Sequence, residues 1–205
     1  MSIHHDSSSH VKLSPARLEA FSDNVMAVII TITILSLKIP SAPVLASLQG
    51  VFPIFLVYLI SFQTVGTYWN NHHHLMLITD HVSTSIMWIN LYLLFCLSFI
   101  PVVTEWLGGN FSAHLPTALY AFVLLMCSIA YTLLQWQVIK HSQNKEDLIA
   151  EFREKPKGIA SLIFYTLAVI MAFFFPIISD ILVVLVSVMW FIPDRRLEKF
   201  ILINR

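Results

Sequence analysis

The residues able to do chemistry in this chain are few, and they stand inside apolar runs. The first run opens Arg17-Leu18-Glu19-Ala20-Phe21-Ser22-Asp23-Asn24. For Arg17 and Glu19 alone, the ordinary reading is a helix start whose charges reach for the interface. Asp23 lies some two turns in. A polar group at that depth must find a partner or water, so Asp23 is expected to be paired inside the protein. Candidate partners stand further on: Tyr68, Trp69, Asn70, His72, His73, Trp88 and Asn90. The run His72-His73-His74 invites a metal reading, but adjacent helical residues point in different directions and no His-x-x-x-His spacing supports it. A hydrogen-bonded structural role is expected instead, with no metal site. Beyond Asp23, the residues Asn24, Val28, Thr31 and Leu35 recur at helical spacing on one face. From spacing alone that is a packing stripe.

The elements that must position these groups follow from composition. Hydrophobic residues make up 57% of 205 positions and charged residues 12%, about half the charge a soluble domain carries. From Ser41 to Ile139 there is no Lys or Arg, and the acids are Asp80 and Glu105. An ionised side chain at a helix centre in lipid costs about 2.5–3.5 kcal/mol, so this is the pattern of an integral membrane protein. A spanning helix needs ~20 apolar residues. Six spans are expected: Pro15 to Leu37, with Ser14 as N-cap; about Val44 to Leu77; Val82 to Leu107, stopped by Gly108-Gly109; Leu115 to Ile139; Ile159 to Phe175; and Ile181 to Ile192, whose start lies near Ile177. The last two form a tight hairpin around Pro176, Ser179 and Asp180. The chain reads as one all-α membrane domain over 1–205, with a flexible stretch at 1–13, a loop at 140–158 and a short amphipathic tail at 194–205.

Orientation follows from Lys and Arg. With the N-terminus inside, the inner side holds Lys12, Arg17, Lys140, Lys145, Arg153, Lys155, Lys157, Arg195, Arg196, Lys199 and Arg205, and the outer side holds Lys38. Both termini are therefore expected in the cytoplasm, in a multi-pass protein of the cell membrane. Net charge is zero, so nothing points to nucleic acid. Cys96 and Cys127 sit in apolar runs and read as core residues rather than a disulfide. No cleavable signal peptide is expected. Enzyme readings find no support, for there is no metal spacing, nucleophile elbow or phosphate-cradling glycine loop. Thr64-Val65-Gly66-Thr67-Tyr68 resembles a potassium-channel filter only superficially, because it lacks the final Tyr-Gly and lies in a continuous apolar helix.

Taken together, Arg17-x-x-x-Phe21-Ser22-Asp23, followed by Ala27-Val28-x-x-Thr31 and Leu35, resembles the defining motif of the TMEM175 family of potassium channels. Tyr68-Trp69-x-x-His72-His73 and Trp88-x-Asn90-Leu91, with Ser98, Pro101 and Thr104, resemble its second and third helices. The match covers the first half of the chain; the second half agrees in hydropathy. The resemblance implies a homotetramer with one six-helix unit per subunit, in which the first helix lines a central pore without a re-entrant filter loop. It places Val28, Thr31 and Leu35 at the constriction and Asn24 and Lys38 near the pore mouths. Arg17, Phe21, Ser22, Asp23, Trp69, His72, His73 and Asn90 would form the network that holds the first helix. The permeant ions would be K+ and other monovalent cations, with moderate preference for K+ over Na+ and no bound cofactor. Val28 is smaller than the family's usual Ile or Leu, and four Lys38 side chains at the outer mouth would repel cations unless they snorkel away. Proton conduction is the alternative within the channel class. A carrier or membrane scaffold with no central pore is the alternative outside it.

Overall fold

The computed structural model describes residues 14–38, 40, 43–142 and 157–191. The expected flexible stretch at 1–13, most of the 140–158 loop and the 194–205 tail lie outside them. Among the described residues the chain is all helix: α1 Pro15–Thr33, α2 Phe52–Leu77, α3 Thr84–Leu97, α4 Ile100–Gly109, α5 His114–His141, α6 Lys157–Ala172 and α7 Pro176–Phe191. Short 3-10 turns run over Ile34–Ser36 and Leu45–Gly50.

Proline placement sets several of these limits. Pro15 starts α1 behind Ser14, which takes the extended N-cap conformation without making a side-chain cap bond. Pro176 starts α7, so Ser179 and Asp180 belong to that helix rather than to the turn before it. The second span begins at Phe52, not near Val44, because the Leu45–Gly50 turn precedes it. The third span also departs from the continuous helix expected. It breaks at Ser98 and Phe99 into α3 and α4, since Pro101 has no amide hydrogen to return to Leu97. Its end differs too. Gly108 is helical, and a Cβ there would stand 2.4 Å from Ile54 Cγ1 and 2.9 Å from Ile54 Cα. This glycine lets α2 and α4 approach closely, as small residues do between membrane helices.

Among the described residues, four stretches are long and apolar enough to cross a membrane: Pro15–Ser36, Phe52–Leu77, Thr84–Gly109 and His114–His141. The other two helices are shorter. Sixteen residues rise about 24 Å, less than the ~30 Å hydrocarbon core. The core sits around α5, which packs on α3, α4, α6 and α7, with Ile86, Leu93, Leu97, Leu124 and Leu134 fully enclosed. Cys96 and Cys127 are buried free thiols within it. Three hydroxyls deep in the bundle satisfy one another: Ser61 Oγ lies 2.7 Å from Thr104 Oγ1 and 2.8 Å from Tyr120 Oη, tying α2, α4 and α5 together.

Candidate functional site

Helix α1 packs at the margin of the bundle, against α2, α3 and α4. Its inward face is Leu18, Ser22, Met26, Ile29 and Thr33. The opposite face carries Asn24, Val28, Thr31 and Leu35, all exposed in the isolated subunit; Val28 is 55% and Leu35 74% accessible. The stripe read from spacing as packing is therefore turned away from its own subunit. Thr31 has spent its one donor locally, and Asn24 one of its two. Thr31 Oγ1 donates to Ala27 O at 2.8 Å and Asn24 Nδ2 to Ala20 O at 2.8 Å. What they still offer is acceptor lone pairs, which suits a cation.

At the N-terminal end of α1 a single donor chain crosses three helices. His72 Nε2 lies 2.8 Å from Asn90 Oδ1, Asn90 Nδ2 donates to Ser22 Oγ at 2.8 Å, and Ser22 Oγ donates to Leu18 O at 2.9 Å. All three side chains are fully buried. Because Asn90 Oδ1 can only accept, His72 Nε2 carries the proton in this bond. The neighbouring His73 Nδ1 meets Glu19 Oε1 at 2.5 Å, and the Trp69 ring stacks on His73 with centroids 6.4 Å apart. The histidine run thus serves two different partners, Asn90 and Glu19.

Of the residues expected in this network, Ser22, His72, His73, Trp69 and Asn90 come together. Arg17 and Phe21 face outward and do not join it, and Trp88 is also exposed. Asp23 Oδ1 is buried and lacks a hydrogen-bond partner among the described residues; Ser22, one residue earlier, takes the place expected of it. In the sequence Glu19 reads as an interfacial charge. Its signal was its position one turn before Ser22, on the side of α1 that meets α2.

Beyond the C-terminal end of α1, Lys38 Nζ pairs with Glu105 Oε1 at 3.4 Å, both side chains remaining largely exposed. The expected choice between repelling cations and snorkelling away thus has a third answer, a carboxylate on α4. Glu105 stood out in the sequence as one of two acids in a long uncharged stretch, but nothing there aligned it with Lys38.

Comparison with known proteins gives four results. The family model described as "Endosomal/lysosomal potassium channel TMEM175" matches residues 17–101. A protein named a potassium channel from Chryseobacterium sp. (strain P1-3) is 46% identical over 187 residues, spanning 91% of this chain and 97% of that one. Among animal relatives, the Rattus norvegicus "Endosomal/lysosomal proton channel TMEM175" is 34% identical over 124 residues, 55% of this chain and 23% of that longer protein. The fold superimposes on the crystal structure of a lysosomal potassium-selective channel TMEM175 homolog from Chamaesiphon minutus with a TM-score of 0.75, over 86% of this chain and 95% of the other, at 24% identity.

Proposed function

The chain belongs to the TMEM175 family, and from that premise we propose that it is a potassium channel whose pore is lined by α1 of four identical subunits. The observation that carries this reading is the outward face of α1, where Val28 and Leu35 flank a Thr31 hydroxyl whose lone pairs are free to accept. Repeated around an axis, that face would make an apolar ring, a ring of acceptors and a second apolar ring. An ion must shed water to pass a dry ring, and such a ring can gate by dewetting. K+ releases water more easily than Na+, and four Thr31 oxygens would return part of the lost coordination, so moderate K+ selectivity follows. Asn24 would stand at the inner approach. At the outer mouth Glu105 would offset Lys38, leaving the path open to cations.

Neighbouring subunits would also cover the exposed apolar surface of α1 that a lone subunit leaves open. In this reading α6 and α7 complete six crossings, as a hairpin in locally thinned bilayer. The positive-inside rule supports cytoplasmic termini in a cell-membrane protein. The test is current through the purified protein in planar bilayers, with reversal potentials measured in K+ and Na+ gradients. A cation current with modest preference for K+ is expected; absence of current from the unsubstituted protein sinks the proposal.

Proton conduction is a second reading, favoured by the name of the animal relatives and by the titratable Glu19–His73 pair between α1 and α2. A reversal potential that follows an imposed pH gradient at equal K+ would select it.

A further inference from the structure

Helices α6 and α7 form an antiparallel hairpin that packs on α5 and, through α7, on α2; α1 is not among its packing partners. With α1 at the proposed axis, the hairpin stands at the periphery of the assembly. Its open end carries the residue types of a membrane interface, with Lys157 Nζ 5.8 Å from the ring centroid of Trp190. From that end α6 runs through sixteen residues and rises about 24 Å, so its turn comes about 6 Å short of the far side of a ~30 Å hydrocarbon core.

The side chains at the turn are apolar and point outward. Phe173, Phe174, Phe175, Ile177 and Ile178 are all exposed, Phe174 by 66%. The start of α5 lies beside them, where His114 Nδ1 donates to Ala172 O at 3.0 Å, and its Leu115 is exposed as well. The polar residues next along α7 turn inward. Ser179 is fully enclosed, and Asp180, the one charged residue between Gly158 and Phe191, has its Oδ2 buried. A contiguous apolar patch of this kind marks a surface that water does not meet.

The backbone of the turn points the same way. A chain in lipid must satisfy its own amides and carbonyls. The Phe173 amide donates to Ile170 O, those of Phe174 and Phe175 to Met171 O, and those of Ile178 and Ser179 to Phe175 O. Pro176 has no amide to satisfy, and Ala172 O is taken by His114. What is left over among the described residues is the Ile177 amide and the carbonyls of Phe173 and Phe174, all at the extreme tip.

We propose that this tip is embedded in the lipid of the leaflet opposite Lys157, the outer one on the topology above. The phenylalanines lie among the acyl chains, and the leftover backbone groups of the tip meet the ester and headgroup layer that closes over it. The inference deepens the hairpin reading and rests on it: in the thinned bilayer the headgroups sink onto the turn, and α6 and α7 present no loop to the outer water. The hairpin then anchors the rim of the subunit at a fixed depth.

Spin labelling tests this. Phe174→Cys and, in a second protein, Ile177→Cys carry a nitroxide in the full-length protein reconstituted in phosphatidylcholine vesicles; Asn110→Cys, in the exposed connection before α5, is the water-side reference. Collisions are measured with oxygen, which dissolves in lipid, and with a polar nickel chelate, which hydrocarbon excludes by at least about tenfold. The oxygen-to-nickel ratio at positions 174 and 177 should exceed that at position 110 by about that factor. A ratio equal to that of the reference places the tip in water and overturns the proposal. Labels reached by neither agent place it under protein, as in a contact with a second copy, and overturn it too. Neither ion flow nor the orientation of the chain enters the readout, so such a failure leaves the channel reading standing.

Discussion

Asn90 uses both ends of its amide, one on His72 and the other on Ser22, and so joins α3 to α2 and α1 where no water can substitute. Asn90→Ala strands the buried His72 Nε2–H and takes from Ser22 Oγ one of its two hydrogen bonds. It should destabilise the subunit by about 2–4 kcal/mol, read as an early loss of the folded or assembled species in thermal melts of the detergent-solubilised protein. A melt indistinguishable from the unsubstituted protein would show that the donor chain contributes nothing. Lys38 and Glu105 act through charge rather than packing. Glu105→Gln leaves Lys38 unopposed and should lower inward K+ conductance about two- to fivefold, more at low salt, where screening is weak. Lys38→Gln/Glu105→Gln should recover most of the loss. If the double variant conducts no better than Glu105→Gln alone, the pair does not govern the mouth. At this scale the sequence made the residue types legible, since polar groups in an apolar run announce themselves by their cost. Their wiring was not legible. Whether Asn90 meets Ser22 or Asp23 depends on the rotation of three helices about their axes, and neighbouring positions on α1 differ by about 100°.

Helix boundaries show a similar division. Pro15 marks a helix start in the sequence and in the structure alike, whereas Pro176, expected in the turn of the last hairpin, starts α7. Pro101 does more than hydropathy reveals, because an apolar run reads as continuous whether or not one amide is missing. In the sequence Gly108 reads as a stop signal, though its small size serves the contact with Ile54. Gly108→Ala pushes a methyl into that side chain and its backbone, so α2 and α4 must separate. The expected cost is about 1–3 kcal/mol, seen as a lower melting temperature. Gly109→Ala, where a Cβ meets nothing within 4 Å, is the internal control. Equal melting of the two variants would remove the close-approach argument. The 3-10 turn before Phe52 escaped detection because Leu45 to Gly50 is as apolar as the helix it precedes.

For the molecule as a whole, the all-helical membrane class was fully legible, since lack of charge across half the chain allows little else. The face that α1 turns outward was legible as a stripe with a period, but a period does not say which way the stripe points. That is decided by Ser22, Met26, Ile29 and Thr33 burying the opposite side. The central claim is that the outward face meets a water-filled axis. Cysteine substitution with a charged, membrane-impermeant thiol reagent tests it, applied during K+ current recording; the native Cys96 and Cys127 are buried and provide a quiet background. Thr31→Cys should be modified and the current blocked, while Ile29→Cys, on the packed side of the same helix, should conduct through the treatment. A Thr31→Cys current that persists unmodified, or equal block at Ile29→Cys, would contradict the assignment of α1 as the pore helix.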